Sequence, residues 1–95
     1  MLEKEIERKM QKLVRERGGI AYKFISPGNP GVPDRIVITP SGAVWFVELK
    51  ASGGRLTSMQ KWHQAELWKR RANVATLYGW DAVKKFLEEV MPNGI

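Results

Sequence analysis

Three charged residues stand in or against runs that otherwise read as buried strands. Asp34 precedes RIVIT, and Glu48 and Lys50 flank Leu49 after AVWFV. A charge taken out of water costs free energy unless it is paired or binds something. Two carboxylates and an ammonium brought together have a definite chemistry. The carboxylates repel, and sharing a divalent cation is the usual way to hold such a pair. The chain has no cysteine and one histidine, and oxygen ligands alone favour Mg²⁺ or Mn²⁺ over zinc. A lysine beside such an ion positions or activates water, or stabilises charge building on a phosphate. That is equipment for phosphodiester hydrolysis. A lone Glu-x-Lys pair is more often a solvated ion pair, so the reading depends on whether the three converge.

Convergence depends on the strands. Residues 34–39 and 43–50 are two strands joined through Pro40-Ser41-Gly42, a hairpin signal. With a three-residue loop, Thr39 faces Ala43 and Asp34 falls directly opposite Glu48. Directly opposed residues share a face, with Cβ atoms roughly 4.5–5.5 Å apart. Lys50, two residues on, points the same way as Glu48. A slip of one residue would break the cluster.

The rest of the chain supplies a frame. Leu2, Ile6, Met10, Leu13 and Val14 recur at helical spacing over residues 2–17, and Gly18-Gly19 ends the run. Glu3 falls within that apolar face and Glu7 at its edge, unusual places for glutamate. Residues 20–25 read as a strand, followed by the breaker-rich loop SPGNPGVP. Thr57 opens a second helix to about Arg71, with Thr57 and Gln60 matching a capping box. Residues 73–78 form a last strand. Trp80, Val83, Phe86, Leu87 and Val90 mark a final helix. Both faces of the hairpin strands are apolar, which calls for helices on both sides. The expected fold is α/β: a small mixed β-sheet flanked by helices on both faces.

Ninety-five residues make one domain spanning 1–95. The longest apolar run, Ala43 to Val47, cannot cross a membrane. The N-terminus is charged where an export signal needs an apolar stretch, so a cytoplasmic protein is expected. Net charge is +6 with a pI near 9.9, which suits a polyanionic partner, nucleic acid before membrane.

At Pro33-Asp34 and Glu48-Leu49-Lys50 the sequence resembles the PD-(D/E)XK nuclease superfamily. "GVPDR", "VELKASGGRLTSMQKWH" and "EKEIERKMQKLVRERGG" sharpen the match to the VRR-NUC (virus-type replication–repair nuclease) family. The likeness runs in order to about residue 90. It implies a restriction-endonuclease-like αβββαβ core and a metal-dependent DNA endonuclease using Mg²⁺ or Mn²⁺. Asp34 and Glu48 would ligate the metal, with the Leu49 backbone carbonyl a further ligand. Lys50 would be the catalytic lysine. Glu3 matches the glutamate of the first helix, with Glu7 second choice. Gln60 matches a glutamine of the second helix, beside its capping role. Short free-standing members, often encoded by phages, are similar to Holliday-junction resolvases. A bacterial or phage-encoded homodimer acting on branched or four-way DNA is therefore expected. The alternatives are a catalytically inactive basic DNA-binding module, or a nuclease for flaps, nicks or plain duplex.

Arg55, after Gly53-Gly54, and Lys4 and Arg8 on the outer face of helix 1 are the candidate DNA contacts. Arg35 neighbours the site in sequence but points to the opposite face. His63 reads as packing or surface. Trp62, Trp68 and Trp80 read as core or dimer interface before base-stacking platforms.

Overall fold

The computed structural model describes residues 1–92. The chain runs α1 (Glu3–Glu16), β1 (Ile20–Lys23), β2 (Arg35–Ile38), β3 (Val44–Lys50), α2 (Ser58–Lys69), β4 (Asn73–Tyr78) and α3 (Gly79–Val90). The four strands lie in the order β1-β2-β3-β4. The first three are antiparallel, and β4 joins β3 in parallel after the α2 crossover. This is the expected αβββαβ order with one further helix, and each element falls within a residue or two of its sequence signal.

The hairpin sets everything that follows. Thr39 N–H donates to the Ala43 carbonyl at 2.9 Å, and Gly42 N–H returns to the Thr39 carbonyl at 2.9 Å. The loop is thus Pro40-Ser41-Gly42, and Gly42 takes φ +89, the left-handed position a three-residue hairpin reserves for glycine. The register follows: Arg35 opposite Val47, Ile36 opposite Phe46, Val37 opposite Trp45, Ile38 opposite Val44.

One sheet face carries the core. Ala21, Val37, Val47, Leu49 and Leu77 from the strands meet Ile6, Met10 and Val14 of α1 and Val83, Phe86 and Leu87 of α3. Trp45 packs edge-on against Phe86 with ring centroids 5.0 Å apart. Each fully buried aliphatic or aromatic side chain there contributes about 1.5–3 kcal/mol. Arg17 ties the two helices at their far ends, donating to the Met91 carbonyl at 2.8 Å and pairing with Glu88 at 3.1 Å.

The second face is only half covered. Expecting helices on both sides was right in kind, but α2 buries none of its residues completely and lies over β4, where Thr76 donates to Gln64 at 2.6 Å. On the same face, Tyr22 of β1 and Val44 at the start of β3 stay 54% and 42% exposed. Trp62 and Trp68 on α2 are exposed as well, whereas Trp80 packs against the core. Among the described residues, no helix is long and apolar enough to cross a membrane.

Candidate active site

Asp34 sits one residue before β2, not within it. It is nevertheless held in the ladder, because its carbonyl accepts from Phe24 N–H at 2.8 Å. One step beyond the Arg35–Val47 pair, the register sets Asp34 opposite Glu48. The two carboxylates therefore share one end of the sheet, on the face where Phe46 and Lys50 also point. Pro33, fully buried ahead of Asp34, fixes the chain's entry through its locked φ.

A second constraint comes from the loop preceding it. Gly31 has φ +94, and a Cβ there would lie 2.7 Å from the Met59 backbone and side chain. Only glycine lets the loop lie this close to the first turn of α2. The Gly-x-Pro-Asp segment is thus wedged between that helix and the sheet.

Glu48 is the anomaly of the site. It is 5% exposed, and among the described residues no ion pair or side-chain hydrogen bond engages its carboxylate. Burial raises its pKa from the ordinary 4.5 to about 7, and the charge of Asp34 pushes the same way. Lys50 pulls it down, Glu3 pushes it up and Arg35 pulls it down, in decreasing order. Glu48 therefore feels each of the charges that the hairpin register and α1 bring to this end of the sheet.

Glu3 enters differently from the expectation. It does not face the core: it is exposed at the start of α1, beside Leu2 at 71% exposure. The first turn of α1 is exposed, and its apolar stripe becomes buried only from Ile6 onward. Glu3 nevertheless lies within Coulomb range of Glu48. Glu7, one turn later, is engaged elsewhere, in an ion pair with Arg35.

Gln60 forms the expected capping box. Its side-chain oxygen accepts from Thr57 N–H at 2.8 Å, and its own N–H donates to Thr57 Oγ1 at 3.1 Å. The carbonyl oxygen is thereby committed to the helix start, and only the amide NH₂ is left for another partner. Arg55 is exposed, and among the described residues Arg55, Lys4 and Arg8 make no ion pair. His63 packs edge-on against Trp62, centroids 4.9 Å apart, as a surface residue.

The residue that the sequence undervalued is Arg35. It lies on the α1 face, as its strand parity requires, but it is 6% exposed and paired with Glu7. Burial lowers its pKa, while Glu48 and then Glu3 raise it. The only signal available in sequence was its place in an otherwise apolar strand.

Among the described residues, no three acidic or imidazole side chains close a metal cage on their own. Mg²⁺ commonly binds through one or two carboxylates and keeps waters and phosphate oxygens as its other ligands. A buried Glu48 beside the half-buried, like-charged Asp34 fits such an ion, because a cation relieves both the burial of Glu48 and the repulsion between the two.

No protein-family model matches the chain. A curated relative named "Putative nuclease p44", from Acyrthosiphon pisum secondary endosymbiont phage 1, is 50% identical over 66 residues. That match covers 70% of this chain and 71% of the relative. A solved structure described as "VRR_NUC domain" superposes with a TM-score of 0.84 at 30% identity, covering 90% of this chain and 94% of that one. Fold class and sequence likeness agree, and the chain belongs to the VRR-NUC family of nucleases.

Proposed function

We propose that the protein is a divalent-metal-dependent, structure-selective DNA endonuclease that hydrolyses phosphodiester bonds in branched DNA, four-way junctions foremost. The observation that carries this reading is Glu48: a residue 5% exposed, set opposite Asp34, whose carboxylate no ion pair engages among the described residues. A group in that state is poised for a cation.

Asp34, Glu48 and the Leu49 carbonyl would hold Mg²⁺ or Mn²⁺. Such an ion supplies Lewis-acid stabilisation of the phosphate and a more acidic water. Lys50, on the same face, sets its ammonium against the negative charge that grows on the phosphate oxygens. Glu3 adds a carboxylate from the exposed first turn of α1, where it can orient the attacking water by hydrogen bonding. The Gln60 amide NH₂ can donate to substrate while its carbonyl caps α2. Arg55, Lys4 and Arg8 contact the DNA backbone. Their charges are unpaired among the described residues, as phosphate binding requires.

The end of the half-open sheet face away from the carboxylates, where Val44 is 42% exposed, supports a homodimer. A two-fold dimer presents two equivalent sites, matching the two equivalent strands of a four-way junction.

The test is a set of end-labelled substrates: four-way junction, flap, nicked duplex and plain duplex, each with Mg²⁺, Mn²⁺ or EDTA. The expected result is metal-dependent cutting, fastest on the junction and symmetric on opposing strands. Salt-sensitive binding with no cutting under any metal would replace the enzyme with a binding module. Faster cutting of flaps or duplex would move the substrate and keep the chemistry.

A further inference from the structure

We infer that Arg35, through its contact with Glu7, is a positioning residue that holds the metal-binding carboxylates in register. This rests on the reading above, in which Asp34 and Glu48 take a divalent ion. Arg35 is the one cation with under a tenth of its surface exposed among the described residues. A leucine or valine would fill the same core face without the cost of desolvating a guanidinium, so the charge calls for a reason.

Its contacts supply one. The guanidinium pairs with Glu7 on α1, and Nη1 also reaches the Asp34 carbonyl at 3.3 Å. Glu7 lies four residues after Glu3, one helical turn along the same face. A single fork therefore joins the turn that carries Glu3 to the backbone that carries Asp34. That turn is exposed and has little packing of its own, with Leu2 at 71% exposure. Without the Glu7–Arg35 contact, nothing polar among the described residues fastens α1 to β2 at this end.

Charge and position make opposite predictions here. Deleting a positive charge close to a cation site strengthens metal binding if only electrostatics act. Deleting a positioning group weakens it, typically about 10–100-fold for a partner that orients the ligands.

The experiment is calorimetric titration of DNA-free protein with Mn²⁺, with melting curves confirming that each variant is folded. The set is wild type, Glu7→Gln, Arg35→Gln, the double variant, and Glu48→Gln as control. The expected result is a loss of about tenfold or more in each single variant. The double variant should be no weaker than the weaker single, because both changes break one contact. If Arg35→Gln does not fold, Arg35→Lys carries the test, because it keeps the positive charge and loses the two-nitrogen contact, so electrostatics alone predicts no loss there. Mn²⁺ binding as tight as wild type in Glu7→Gln, or losses that simply add, would overturn the positioning role. If Glu48→Gln also binds like wild type, the metal reading itself falls and takes this inference with it.

Discussion

Glu48 concentrates the chemistry of this chain into one titration. Its pKa near 7 means that a proton competes with any metal below neutrality. Mn²⁺ affinity should therefore fall about tenfold per pH unit below 7, the slope of one proton released per ion, and level off above it. Calorimetry across pH 5.5–8.5 checks this, and a flat profile would contradict it. The stability sign follows from the same shift. The folded carboxylate is harder to ionise than the unfolded one, so its favourable contribution is complete below about 4.3, the unfolded value. It is lost as pH rises through about 7. At pH 8 the metal-free protein carries a buried charge at a cost, and Glu48→Gln should melt higher while losing any stabilisation by Mn²⁺. A domain of this size shifts by about 4–8 °C per kcal/mol, so a gain of several degrees is expected, and a lower melting point would contradict it. The placement of Asp34, Glu48 and Lys50 on one face was legible because strand parity and loop length fix the register. Arg35 was not. Parity gave its face correctly, but no periodicity reveals that a long side chain finds Glu7 and remains within Coulomb range of Glu48.

At the level of elements, the site depends on how the Gly-x-Pro-Asp loop and the start of α2 fit together. Gly31→Ala demands both a left-handed φ and a Cβ 2.7 Å from Met59. The loop must back away from α2, carrying Pro33 and Asp34 with it. Stability should drop by more than the roughly 1 kcal/mol scale of a compatible glycine exchange, and cleavage should slow in parallel. Unchanged melting and rate would show that the loop is not wedged. Gln60 can be resolved at the same scale. Thr57→Ala and Gln60→Ala both break the capping box, at about 0.5–2 kcal/mol each. If Gln60 also touches substrate, its loss should slow cleavage well beyond the loss of Thr57, while equal rates would leave it a cap alone. The capping box could be read directly from the sequence because capping is local. The placement of Glu3 could not, because helical periodicity places a residue on a stripe but does not say where the sheet beneath it ends.

Over the whole molecule, two surfaces remain to be used: the cations of α1's outer face and the half-open sheet face. The apolar pattern on both sides of β2 and β3 correctly called for cover on both, but α2 packs mainly over β4. How far a crossover helix extends over a sheet depends on packing that no single strand encodes. If a second copy completes that face, Val44→Glu, at the far end of β3 from Glu48, should convert a dimer into a folded monomer, seen as halved mass in light scattering. A wild-type protein that is monomeric at high concentration would remove the dimer from the account.

In the proposed function, the buried Glu48 and the half-buried Asp34 opposite it hold the metal ion at which this VRR-NUC chain cuts DNA. The most direct measurement compares wild type with Asp34→Ala and Glu48→Gln on one labelled four-way junction, scoring Mn²⁺-dependent cleavage and binding together. The account predicts that both variants bind the junction about as well as wild type. Their cleavage should be slower by roughly 10³-fold or more, at or beyond the scale of losing one group that stabilises transition-state charge. Undiminished Mn²⁺-dependent cleavage by either purified variant would contradict it.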